Sequence, residues 1–116
     1  MKAIYDKSGR LIGWVGHNGR LMNRNGGSAF WINQDGNVYD YGGRHAGWWE
    51  GDHWRGPDGG VIGWQSGAKT LGVSPPLAEL PPLPPFPMIE LPRPSADLAR
   101  ARPVRRAGWS AYAPLG

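Results

Sequence analysis

No cysteine occurs in the 116 residues. That absence removes disulfides, Cys-ligated zinc and thiol nucleophiles, and it is compatible with a reducing compartment. No stretch approaches the roughly 20 apolar residues of a membrane helix. The opening Met1-Lys2-Ala3-Ile4-Tyr5-Asp6 runs into a turn signal instead of an apolar segment of roughly 7 to 15 residues, so no signal peptide is expected. A cytoplasmic chain without membrane contact is the resulting expectation. Histidine is also scarce: His17, His45 and His53 show no spacing that would hold a metal. No G-x-S-x-G nucleophile elbow is present. Asp6 and Asp40 look like paired acid and base residues, but their place in turns already accounts for them. Together these absences argue for a protein that is not an enzyme and takes no cofactor or metal.

What is abundant is glycine, proline and tryptophan, at 19, 12 and 7 residues. Composition changes near Ala68, dividing the chain into residues 1–67 and a Pro-rich basic tail, 68–116. The net charge of +4 is uneven: seven Lys/Arg against six Asp/Glu before Ala68 give +1, and six against three after it give +3. A domain of roughly 60 to 70 residues without disulfides needs dense packing or assembly to be stable.

The first part repeats. Aligned on tryptophan, Ile4–Trp14, Leu21–Trp31, Val38–Trp48 and Trp54–Trp64 begin 17, 17 and 16 residues apart. A repeated unit too small to bury its own apolar face must bury it on its neighbours. Gly9, Gly26, Gly43 and Gly59 hold one position in the unit, each preceded by turn-forming residues such as Asp6-Lys7-Ser8. That pattern suits a type I turn closed by a left-handed glycine, so each unit reads as a hairpin. Turns at His17-Asn18-Gly19, Gln34-Asp35-Gly36 and Glu50-Gly51-Asp52 join the hairpins, giving eight short strands. The loop length sets Asp6 opposite Arg10, Tyr5 opposite Leu11 and Ile4 opposite Ile12, and predicts cross-strand ion pairs Asp6–Arg10 and Asp40–Arg44.

Strict alternation predicts that Ile4, Ile12 and Trp14 share a face, and that Trp14, Trp31, Trp48 and Trp64 converge on one aromatic core. The opposite face, with Tyr5, Leu11, Ser28, His45 and Arg55, is then expected to be partly wet. Gly13, Gly47 and Gly63 precede the tryptophans and leave room for a close neighbour, with Phe30 breaking the pattern.

The motif Y-D-x-x-G-R-x-x-G-W, complete at Tyr5–Trp14 and Tyr39–Trp48, resembles the bacterial 4-fold β flower domain over about residues 1–67. The resemblance implies an all-β flower of four tandem hairpins in pseudo-fourfold arrangement, and it brings no catalytic residues. A weaker similarity links Tyr5-Asp6-x-x-Gly9-Arg10 to YD repeats. Units two and four depart from the motif, at Asn23-Arg24-Asn25-Gly26-Gly27 and Gly56-Pro57-Asp58-Gly59-Gly60.

Residues 74–94 contain nine prolines, which disfavours helix and inner strand and favours polyproline II. Leu77, Leu80, Leu83 and Phe86 are spaced by three, the polyproline repeat, and so form one apolar stripe suited to an aromatic groove. The expectation is that this stripe docks on the chain's own hairpins or on a second copy. Ser95–Arg102 is predicted to form two helical turns capped by Ser95 and stopped by Pro103. Arg93, Arg100, Arg102, Arg105 and Arg106 make a basic cluster followed by Trp109 and Tyr112.

The function these features suggest is a non-enzymatic protein-interaction or assembly module with an unidentified protein partner or a second copy. Trp14, Trp31, Trp48, Trp64, Trp49, Tyr5 and Tyr39 are its candidate binding aromatics. The alternatives are a carbohydrate-binding rim of tryptophans or a module that stacks single-stranded nucleic acid beside the arginines.

Overall fold

A computed structural model describes residues 1–115. Each hairpin turn forms as its residues dictate. The Gly9 N–H donates to the Asp6 carbonyl at 3.0 Å, and the equivalent bonds at Gly26, Gly43 and Gly59 measure 3.1, 3.0 and 2.9 Å. All four glycines have φ between +79° and +89°, a region that a Cβ penalises. The carboxylate oxygen of Asp6 accepts from the N–H groups of Ser8 and Arg10 at 2.8 and 3.0 Å. Asn23 and Asp40 do the same in their units. Of the two predicted ion pairs, Asp40–Arg44 forms at 3.1 Å. In unit one Asp6 only caps the turn, and Arg10 contributes its backbone rather than its guanidinium.

Among the described residues the eight strands are β1 (Lys2–Tyr5), β2 (Leu11–Val15), β3 (Arg20–Asn23), β4 (Ser28–Ile32), β5 (Asn37–Asp40), β6 (His45–Trp49), β7 (His53–Arg55) and β8 (Val61–Trp64), with a 3₁₀ turn at His17–Gly19. Every strand pairs antiparallel with its sequence neighbours, and β8 returns to β1 to close a barrel. The closing pair, Tyr5 with Trp64, brings the two terminal strands together, which limits the edge open to aggregation.

The barrel interior is a ring built from one buried side chain per strand: Ile4, Ile12, Leu21, Phe30, Val38, Ala46, Trp54 and Ile62. Eight strands enclose a lumen just wide enough for side chains to fill. Trp54 and Phe30 fill most of it, meeting edge to face at 5.0 Å between ring centroids. The Trp54 indole N–H is satisfied by the Ala46 carbonyl at 3.0 Å.

The four repeat tryptophans are not part of this ring, which corrects the expected aromatic core. Each hairpin carries a β-bulge. Tyr5 lies opposite Leu11 but Ile4 lies opposite Gly13, so Ile12 is an extra residue. Ala29, Ala46 and Ile62 are extra in the same way. One inserted residue reverses the alternation beyond it, sending Trp14, Trp31, Trp48 and Trp64 to the outer wall. The glycines before three of them allow close packing: a Cβ on Gly13 would lie 2.2 Å from the Met22 carbonyl oxygen, and one on Gly47 would lie 2.2 Å from that of Arg55.

The tail circles the hairpin tips as a belt. The predicted helix at 95–102 does not form. An isolated helix of two turns is marginal, and the segment is instead extended with its backbone tied to the barrel. No helix among the described residues is long and apolar enough to cross a membrane.

Candidate functional site

The outer wall is assembled from position-equivalent pairs. Each tryptophan stands opposite the second residue of the next unit: Trp14 with Met22, Trp31 with Tyr39, Trp48 with Arg55 and Trp64 with Tyr5. Trp31 and Tyr39 stack at 5.0 Å, Tyr5 tilts onto Trp64 at 5.3 Å, and His45 meets Trp48 edge-on at 4.7 Å. Trp14 and Trp64 donate their indole N–H groups to carbonyls in the next hairpin turn, those of Arg24 and Asp6. Of the candidate aromatics, Trp14, Trp31, Trp48, Trp64, Tyr5 and Tyr39 are buried and Trp49 is half-buried. A rim for sugar stacking needs open ring faces, which the buried six do not offer. The face expected to be wet is also covered: His45 and Arg55 are buried beneath the belt.

The belt touches the barrel at a regular interval. The N–H groups of Glu79, Met88, Asp97 and Arg106 donate to the carbonyls of Gly9, Gly26, Gly43 and Gly59 at 2.8, 3.1, 2.8 and 3.0 Å. Belt contacts therefore step by nine residues while the barrel steps by 17, 17 and 16. The approach is so close that a Cβ on those four glycines would fall 2.2, 2.9, 2.5 and 2.2 Å from the carbonyl oxygens of Leu77, Phe86, Ser95 and Val104. Pro76, Pro85, Pro94 and Pro103 stand just before these four residues. Their fixed φ favours the extended path, and they withdraw no N–H from the contacts.

Side-chain ties reinforce the last half of the belt. Glu50 receives Arg102 and Arg105, each at 3.0 Å. Burial alone would raise the Glu50 carboxyl, but the two arginines outweigh it and hold the group below its ordinary range. Asp58 accepts from the Ser110 hydroxyl at 2.8 Å and the Ala111 N–H at 3.0 Å, with Arg106 at 3.4 Å. Burial opposes its ionisation too, yet these donors leave Asp58 below the usual carboxylate range. Arg55 binds four carbonyls, those of Gly59, Arg106, Thr70 and Leu71, at 2.8 to 3.2 Å. His45 accepts from the Arg100 N–H at Nδ1 and contacts the Asn37 side chain through Nε2. Burial, then the charges of Arg100 and Arg102, push its pKa down.

The predicted apolar stripe lies on the opposite side of the belt from the one expected. Leu77, Leu80, Leu83 and Phe86 do not dock on the barrel: with Ile89, Leu98 and Val104 they are nine-tenths or more exposed. The belt is held by its backbone, so its apolar side chains are free to face outward. The basic cluster is mostly engaged. Arg93 bonds Glu90 and the Asn18 carbonyl and lies 5.3 Å from the Trp31 ring centroid, and Arg102, Arg105 and Arg106 take the carboxylates described above. Of the five arginines in the cluster, Arg100 is the one whose guanidinium has no acidic partner among the described residues. Sequence reasoning missed Glu50, Arg55, Asp58 and Glu79, whose roles arise from contacts across about 50 residues or more of chain or from burial. It also missed the ninefold step, although the spacing of Pro76, Pro85, Pro94 and Pro103 carries that signal.

A family model described as 4-fold beta flower protein matches residues 2–113, spanning both barrel and belt. No curated protein and no solved structure matches the chain.

Proposed function

The chain belongs to the 4-fold beta flower family, and from that premise we propose that it acts as a non-enzymatic protein-interaction or assembly module whose contact surface is the outward apolar row of the belt. One observation carries this reading: seven large apolar side chains, from Leu77 to Val104, stand nine-tenths or more exposed on a backbone tied to the barrel at four points. Exposed apolar surface of this kind is characteristic of interaction sites. Because the extended segment is already ordered, a partner would lose less conformational freedom on binding it than on binding a loose tail. An extended proline-rich ridge with apolar residues every third position suits an aromatic-lined groove.

The two alternatives have less support. Glycan stacking would need the buried tryptophans to be open, and single-strand binding would need arginines that are already paired. A cytoplasmic setting is part of the reading, and the cysteine-free composition is compatible with it. Affinity capture with the full chain, compared with a Leu80→Ser, Leu83→Ser, Phe86→Ser variant, tests it. Captured protein should be lost with the variant while thermal stability is unchanged. Equal capture by both would overturn the reading. Light scattering over a concentration series identifies a second copy as the partner if mass rises with concentration for the full chain and not for the variant.

A further inference from the structure

The four units provide an internal control, and unit four departs from it in a way that opens a cavity. Between units two and three the wall is closed: Tyr39 stacks on Trp31, and Arg93 lies over the same indole. Between units three and four the belt repeats its part, with Arg102 6.0 Å from the Trp48 ring centroid. The position of Tyr39, however, is taken by Arg55, whose guanidinium is held by four carbonyls and does not cover the Trp48 ring as an aromatic would. The turn acid Asp40 is replaced by Gly56. One aromatic side chain that fills the wall elsewhere is thus missing, since the space at Gly56 is already taken by Ser110 and Ile62, and a cavity of about 250 Å³ remains.

Trp48, Glu50, Arg55, Gly56, Arg102 and Arg105 line it. Its charge is unbalanced, since three arginines face one carboxylate. Glu50 is already shared between Arg102 and Arg105. Arg55 is buried, has only carbonyl partners, and its Nε has no hydrogen-bond partner. A buried cation whose one nearby carboxylate, Glu50, is shared with two further arginines favours an added negative charge, and an indole wall favours a flat apolar body.

We propose that this cavity is a binding site for a small organic anion, a carboxylate or phosphate ester on a planar apolar group, with the ring against Trp48 and the charge facing Arg55 and Arg102. The site is separate from the outward apolar row, and its failure would leave the interaction reading intact.

Titration calorimetry of the full chain with benzoate, phenyl phosphate and the neutral benzyl alcohol tests it. At least one anion should bind saturably, at least about tenfold more tightly than benzyl alcohol. The tighter of the two distinguishes carboxylate from phosphate ester. Arg55→Tyr restores the side chain found in units one and three and should abolish binding. Arg102→Gln removes a half-exposed guanidinium and should weaken binding by about tenfold or more. The Arg102 variant carries the test if the Arg55 variant does not fold. No saturable binding of either anion up to about 10 mM, equal affinity for benzyl alcohol, or anion binding unchanged in the folded variants would overturn the proposal.

Discussion

The barrel hides side chains and the belt hides backbone. Residues 2–64 bury one interior side chain per strand around Trp54 and Phe30, so their stability depends on shape and volume. The belt buries the N–H groups of Glu79, Met88, Asp97 and Arg106 against glycine carbonyls and leaves its large apolar side chains outside. A packed interior constrains residue identity, because a change of one methylene is felt. A backbone-held belt constrains spacing and the absence of Cβ atoms on its glycine partners. The same chain thus carries two repeats, of about 17 and nine residues, written in different chemistry.

The contrast is broken most severely from inside the barrel. Trp54→Ala removes the largest interior side chain, which is fully buried, and should cost about 3 to 5 kcal/mol in chemical denaturation. A loss below about 1 kcal/mol would mean that the ring does not hold the fold. Gly59→Ala comes next. It places a Cβ at φ +80° and 2.2 Å from the Val104 carbonyl oxygen, and should cost about 1 to 3 kcal/mol from left-handed strain and the displaced belt. In hydrogen exchange the Arg106 amide should lose protection while Glu79 and Met88 keep theirs. Uniform loss along the belt would show that its four contacts act as a single unit.

Acidification should loosen the same half of the belt by a smaller amount. Glu50, Asp58 and His45 all have lowered folded pKa values, so each contributes stability that is present above its unfolded value and is lost as pH falls through its folded one. His45 acts first, below its ordinary value of about 6.5, because a proton on Nδ1 ends its acceptance from Arg100. The two carboxylates follow in the acid range, below their ordinary values. Protection of the Asp97 and Arg106 amides should decline with pH before that of Met88. The smallest effect belongs to the outward row: Leu80→Ser or Ile89→Ser should change stability by no more than about 0.5 kcal/mol, and a larger loss would mean that the row is packed.

Turns and hairpins were legible in the chain because a glycine at positive φ and an Asx cap are local requirements. The opposition of Tyr5 and Leu11 followed from loop length alone. The facing of Trp14 was not legible, since the bulge at Ile12 depends on which residues the partner strand presents. Extended structure at Ser95–Arg102 was hidden for a related reason: capping residues favour a helix locally, while the Asp97 N–H finds a better acceptor in Gly43.

The amino-acid order by itself determined an all-β chain of four repeated hairpins, because turn chemistry and strand periodicity act over a few residues. Which face each tryptophan takes, where the belt lies and which side chains it exposes were decided only when the barrel closed. Those outcomes rest on hydrogen bonds between residues tens of positions apart, and every residue but proline carries the same main-chain N–H.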